Sequence, residues 1–136
     1  MQVQEIMTTS ITTVGRNDDL RMVDDLMEAG RLRHVPVVDE DGLVGIVSQR
    51  DVFSARMSST MGVGEKGQRS LLHTILVKEV MNYPATTIGP EAAVSEAASI
   101  MMDDGIGCLP VVHDGQLLGI ITKTDLLRQL REIDAD

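Results

Sequence analysis

The chain matches a copy of itself 74 positions later, without a gap. Val3, Glu5, Met7, Thr12, Thr13, Gly15, Met27, Pro36, Val37, Val38, Leu43, Gly45, Ile46 and Asp51 recur as Val77, Glu79, Met81, Thr86, Thr87, Gly89, Met101, Pro110, Val111, Val112, Leu117, Gly119, Ile120 and Asp125. That is 14 identities over 54 aligned positions, 3–56. Unrelated segments of ordinary composition agree at roughly one position in fifteen to twenty. The chain therefore holds two copies of one unit that cannot bury its apolar face alone. Two such units facing each other predict a pseudo-symmetric module with a pair of related clefts, a geometry that favours binding over catalysis.

Each copy reads strand, helix, strand, strand, helix, an α/β (α+β) arrangement. In the first, Ile11–Val14 favours a strand ended by Gly15. Asn17 can cap a helix with Asp18 and Asp19 in its first turn. Leu20, Val23, Leu26 and Met27 follow at helical spacing, and Gly30 stops them. His34–Val38 and Leu43–Val47 flank Asp39-Glu40-Asp41-Gly42 as a hairpin. Ser48 opens the last helix, which carries Val52 and Phe53. The second copy runs through Thr86–Ile88, Pro90 at a first helical position, and the inward face Val94, Ala97, Ala98 and Met101. Its hairpin is Leu109–Val112 and Leu117–Ile121, and Thr122 opens a helix with Leu126, Leu127 and Leu130 on its apolar side. The expected division is repeat one at 1–57, a connector at 58–76 and repeat two at 77–136. Within the connector, 58–67 reads as a loop and Ser70–Leu76 as a short helix.

Composition narrows the function. Twelve Lys and Arg stand against 21 Asp and Glu, for a net charge of −9. So acidic a chain lacks the general field that holds nucleic acid or an anionic membrane, and an anionic ligand must be held by local donors. Phe53 and Tyr83 are the only aromatic residues, which leaves no stacking platform for single strands. Cys108 is the sole cysteine, which rules out an internal disulfide and fits a reducing cytoplasm. The first residues lack the basic start and apolar run of a signal peptide, and no run is long enough to span a bilayer. His34, His73 and His113 have no metal-ligand spacing with Cys108, so no metal site is expected.

The chemistry concentrates in Gly45-Ile46-Val47-Ser48-Gln49-Arg50-Asp51 and its echo Gly119-Ile120-Ile121-Thr122-Lys123-Thr124-Asp125. Each is an apolar strand, a hydroxyl residue and an aspartate at a helix start. Free N–H groups there suit a phosphate or ribose edge, and a carboxylate can accept both vicinal hydroxyls of a ribose. The same Ser/Thr-x-x-Asp pattern is also that of a capping box, where Glu or Gln is usual. Its recurrence after Gly and an apolar strand shifts the balance toward a ligand.

With Ile6-Met7-Thr8 and Val80-Met81-Asn82, and with Val35-Pro36-Val37-Val38-Asp39 and Leu109-Pro110-Val111-Val112, these segments resemble a tandem pair of CBS (cystathionine-β-synthase) domains, a Bateman module. The likeness covers nearly the whole chain. It implies two β-α-β-β-α repeats related by a pseudo-two-fold axis, clefts for AMP, ADP, ATP or S-adenosylmethionine, and association into disc-like homodimers. Carried over by position, it gives two unequal sites. Site A joins Ile11, Thr12, Leu32, Arg33, His34, Pro36 and Arg50 to Thr122, Thr124 and Asp125. Arg33 and His34 stand where the family often faces phosphate with basic residues, and an Arg fork matches phosphate oxygens. Site B, the weaker, joins Ser48, Arg50 and Asp51 to Ala85, Thr86, Ile106, Gly107, Cys108 and Pro110. Gly107 and Cys108 replace the basic pair, so a nucleoside, a non-phosphorylated adenosyl ligand or no ligand is expected there.

The resulting expectation is a cytoplasmic regulatory module that senses adenosine-containing metabolites and signals to a partner protein or an oligomer interface. The alternative is a constitutive interaction module with vestigial clefts. An enzyme is not expected, because no activated nucleophile or metal cluster is in the sequence.

Overall fold

The computed structural model describes residues 1–59, 67 and 71–135. The chain mixes helices with two small antiparallel sheets, and it divides into two compact units, Thr12–Ala85, and Met1–Ile11 with Thr86–Asp136.

The Thr12–Ala85 unit contains α1 (Leu20–Gly30), β1 (His34–Asp39), β2 (Gly42–Ser48) and α2 (Gln49–Ser59), then short 3-10 turns at Leu72–Thr74 and Val77–Glu79. β1 and β2 form a hairpin from His34↔Ser48 to Asp39↔Gly42, with a bulge between Val37 and Val38. Alternation along it sends Val35, Val37 and Val47 into a core with Leu20, Val23 and Met27 of α1. Val14, Val52, Leu72 and Val77 complete that core. Asp19, not Asn17, caps α1: its side chain accepts the Met22 N–H at 2.9 Å. The chain is still turning at Asn17, because the Asp18 carboxylate is engaged by the Gly15 N–H at 2.7 Å. Arg31, in the left-handed region at φ 53°, ends the helix just after Gly30.

The other unit repeats this plan with α3 (Val94–Asp104), β3 (Cys108–His113), β4 (Gln116–Thr122) and α4 (Lys123–Asp134). Its hairpin keeps the same register, Cys108↔Thr122 to His113↔Gln116, and the same bulge. Val3, Ile88, Ala97, Met101, Leu109, Val111 and Ile121 form its core. Pro90 does not start the helix, which begins four residues later; its carbonyl instead accepts the Gln4 N–H at 3.0 Å. Leu126 packs on the core, but Leu127 and Leu130 are 65% and 57% exposed, so the expected apolar side of α4 is only partly inward. Phe53 on α2 is likewise exposed, while its neighbour Val52 is buried.

The expected first strands shrink to single parallel bridges, Val14 to Val37 and Ile88 to Val111. Val14 exchanges hydrogen bonds with Pro36 and Val38 at 3.1 and 2.9 Å, and pairing ends there as the chain turns at Gly15. Ser58 and Ser59, read as loop, close α2; residues 60–66 of that loop lie outside the described residues, as does Ser70 of the expected short helix, whose described part includes the Leu72–Thr74 turn.

The compact units do not follow the repeats. Residues 1–11, which open the first repeat, belong with the body of the second. Val3 N–H reaches Ala92 O at 2.8 Å, and Thr8 and Ile120 exchange N–H···O bonds of 2.8 and 2.9 Å. Displaced by 74 positions, Val77 N–H reaches Asp18 O at 2.8 Å, and Asn82 and Ile46 exchange bonds of 2.8 and 3.1 Å. Both bridges require glycine opposite them. A Cβ on Gly119 would lie 2.7 Å from Thr8 O and 2.9 Å from Met7 Sδ; one on Gly45 would lie 2.6 Å from Asn82 O.

Gly119→Ala is therefore expected to destabilise the fold by about 1–3 kcal/mol, the usual cost of overpacking. Gly89→Ala, where a Cβ meets nothing within 4 Å, should change stability by less than about 0.5 kcal/mol. Urea unfolding of the two variants checks this; equal midpoints would contradict the close approach.

Candidate functional site

Each hairpin hands its chain directly to a helix, and a hydroxyl–aspartate pair marks the junction. At α4, Thr122 Oγ1 accepts the Asp125 N–H at 3.2 Å, and Asp125 Oδ2 accepts the Thr122 N–H at 2.9 Å. At α2, Ser48 Oγ accepts the Asp51 N–H at 3.1 Å, and Asp51 Oδ2 accepts the Ser48 N–H at 2.8 Å. The capping-box reading of the sequence is thus realised in both copies. It leaves the second carboxylate oxygen, Oδ1, to other partners.

Those partners differ. Asp125 is 4% exposed. The Thr122 hydroxyl donates to its Oδ2 at 3.1 Å, the Thr8 hydroxyl to its Oδ1 and Oδ2 at 3.1 and 3.3 Å, and Arg128 Nη1 to its Oδ1 at 3.2 Å. Asp51 is half-buried. Asn82 Nδ2 donates to its Oδ2 at 3.0 Å, and no described residue donates to its Oδ1. Thr8, Asn82 and Arg128 were not among the residues read from the sequence as site-forming. Thr8 and Asn82 carried a signal, because they hold equivalent places in the two matching Met-containing segments. Arg128 could have been found at i+3 from Asp125, on the same helical face.

The predicted residues fall into two sets. The Thr12–Ala85 unit holds Thr12, Leu32, Arg33, His34, Pro36, Ser48, Arg50, Asp51 and Ala85; the other holds Ile11, Thr86, Ile106, Gly107, Cys108, Pro110, Thr122, Thr124 and Asp125. In the first, register sets His34 opposite Ser48, and Arg33 O accepts the Gln49 N–H at 2.8 Å. The Arg33 and Arg50 side chains are exposed, His34 is half-buried and Pro36 is buried. In the second, Cys108 lies opposite Thr122, and Gly107 O accepts the Lys123 N–H at 3.2 Å. The same backbone frame thus presents a basic pair in one unit and a small, uncharged pair in the other.

Burial, with a further contribution from the Asp125 charge, raises the Cys108 thiol from 9.0 to about 12. Below pH 9 the thiol is protonated folded and unfolded alike. Between 9 and about 12 only the unfolded chain releases the proton, so this contribution to stability is lost as pH rises. Unfolding midpoints measured from pH 8 to 11 should fall more steeply for the wild type than for Cys108→Val; parallel profiles would contradict the burial of a neutral thiol.

Comparison with known proteins agrees with this architecture. The model of the CBS domain matches residues 3–58 and again 77–132. A 33.4 kDa protein of Thermofilum pendens, uncharacterized and encoded in a ribosomal RNA operon, is 31% identical over 98% of this chain, which spans 45% of that protein's length. AcuB of Vibrio cholerae, assigned to acetoin utilization, superposes with a TM-score of 0.82 at 38% identity, covering 98% of this chain and 92% of that one. CBSX2 in complex with AMP gives 0.81 at 23% identity, covering 97% of each chain. A CBS domain pair in complex with 5′-methylthioadenosine and S-adenosyl-L-methionine gives 0.81 at 24%, covering 96% and 99%; these last two show likeness of fold. The duplicated hairpin–helix frame, its twin hydroxyl–aspartate junctions and the twice-matched family model together establish that the chain belongs to the CBS domain family, as a tandem pair.

Proposed function

We propose that this chain is a regulatory module that binds an adenosine-containing metabolite and passes the binding event to a partner protein or to an oligomer interface. The observation that carries the reading is the twinned aspartate at a helix start. Each carboxylate sits in the first turn of its helix, at the positive helix end, a setting suited to a ribose and its phosphate. Two proteins of the same fold hold AMP and S-adenosyl-L-methionine, which supports the ligand class.

In this proposal Thr122, Thr124 and Asp125 serve a ribose, Arg33, His34 and Arg50 serve a phosphate, and Ile11, Thr12, Leu32 and Pro36 serve a base. Ser48 and Asp51 serve a ligand that carries less charge, and so do Thr86, Ile106 and Cys108, which have no basic pair beside them. AMP, ADP, ATP and S-adenosylmethionine are the candidates. The signal passes to a partner protein or to an oligomer interface, and the cytoplasm is the proposed compartment; no described helix is long and apolar enough to cross a membrane. Binding can shift such a module only as far as the ligand prefers one of its states.

The Arg33 role has a direct test. Arg33→Ala should weaken AMP by about tenfold or more, the scale of one charge-assisted hydrogen bond, and adenosine by less than about twofold. Calorimetric titration of both ligands checks it; equal losses contradict a phosphate contact. No heat from AMP, ATP or S-adenosylmethionine at millimolar concentration would favour a constitutive interaction module.

Association into homodimers is part of the same proposal. Leu127, Leu130 and Ile133 are 65%, 57% and 61% exposed along α4, three residues apart. Such a stripe gains by meeting another apolar surface. A Leu130→Glu variant should sediment as a monomer at concentrations where the wild type is a dimer; an unchanged sedimentation coefficient would remove this stripe from the interface.

A further inference from the structure

A ribose held by a carboxylate needs two acceptor positions, one for each hydroxyl, and the two aspartates do not offer them equally. A carboxylate has about four lone-pair sites. Asp125 meets four donor groups, the Thr122 N–H, the Thr122 hydroxyl, the Thr8 hydroxyl and Arg128 Nη1, at 2.9 to 3.3 Å. Its side chain is 3% exposed and that of Arg128 is 52% exposed. Asp51 meets two donors, the Ser48 N–H and Asn82 Nδ2, both on Oδ2. Among the described residues its Oδ1 accepts nothing. The contrast has a sequence origin outside the motif. Asn82 stands where Thr8 stands, and Ser54 stands where Arg128 stands.

We propose that Thr8 and Arg128 mask Asp125, so that an uncharged adenosine is taken by Asp51 and refused by Asp125. The inference rests on the adenosine reading above and adds the residues that decide which aspartate accepts which ligand. At Asp125 a ribose hydroxyl has to displace a donor already in place. A nucleoside brings nothing to offset that loss, because it exchanges one hydrogen bond for another at a buried charge. A phosphorylated ligand brings additional charge-assisted bonds. Arg128 is also half-exposed and can leave Asp125 for an arriving anion, which makes the mask reversible for a nucleotide. Thr8 and Arg128 thus act as specificity-determining residues, and the asymmetry gives the twin copies different ligands.

Two measurements on the full chain test this. Adenosine is titrated calorimetrically into the wild type, Asp51→Asn and a Thr8→Val/Arg128→Ala variant. The wild type should take one equivalent, Asp51→Asn should bind at least about tenfold more weakly, and the double variant should take a second equivalent. Wild-type uptake that survives Asp51→Asn, or a double variant with no added uptake, overturns the proposal. Carboxylate labelling by a water-soluble carbodiimide with glycine ethyl ester, without any nucleoside, gives an independent reading by peptide mass. Asp51 should react at least about fivefold faster than Asp125, and Arg128→Ala alone should speed Asp125. Equal wild-type rates overturn the mask. Labelling in the expected order with no adenosine uptake by any variant upholds the masking and sinks the adenosine reading.

Discussion

A reciprocal pair of backbone hydrogen bonds, Thr8 with Ile120 at 2.8 and 2.9 Å, fixes more of this molecule than any side chain does. It seats residues 1–11 against the hairpin of the second repeat. It brings Met7 against that unit's core and sets the Thr8 hydroxyl on Asp125. It also demands glycine at 119, because the two backbones approach to a distance that leaves no room for a Cβ. The Asn82–Ile46 pair repeats each of these consequences at Met81, Asp51 and Gly45. Conserving backbone pairing in both copies while changing the side chain it carries, Thr in one and Asn in the other, lets one frame present two different carboxylate environments.

This exchange of opening segments explains why a single copy cannot stand alone. Val3 and Val77 are fully buried, but each is buried in a core built mostly from the other repeat. A lone repeat would keep its opening segment and lose the surface that buries it. Burying one such valine stabilises a fold by about 1.5 kcal/mol or more. Duplication is therefore built into the packing, and the two compact units are each composites of both repeats.

Much of the fold was legible because its causes are local. The 74-residue offset, the alternation of Val35, Val37 and Val47, and the helical spacing of Leu20, Val23 and Met27 all reappear in the cores. The hydroxyl–aspartate junctions were legible for the same reason, since a cap acts within four residues. What depended on distant chain was hidden. Pro90 was read as a helix start because nothing local reveals that its carbonyl serves Gln4. Asn17 and Asp19 are equally good caps by residue type, and the choice falls to Asp19 where Leu20 N–H meets Ile75 O at 2.9 Å. Leu127 and Leu130 share the helical period of Leu126 yet face away from the core, because periodicity reports a face and not what covers it. The contacts of Thr8 with Asp125 span 117 positions, beyond the reach of any spacing rule.

The aspartates show how one group serves both the fold and a ligand. A capping box ordinarily uses Glu or Gln at this place. Asp is shorter by one methylene, so its carboxylate stays close to the helix start, with Oδ2 on the preceding N–H at 2.8 and 2.9 Å. Oδ1 is then released from the cap, and its fate is decided by residues outside the motif. In one compact unit position 128 supplies a cation and position 8 a hydroxyl; in the other, position 54 is serine and position 82 is asparagine, bound to Oδ2. The motif thus fixes where a carboxylate stands, and its surroundings fix how many hydrogen bonds it can still accept. Two copies with identical backbone frames can therefore diverge in what they recognise without any change to the helix, the hairpin or the aspartate itself.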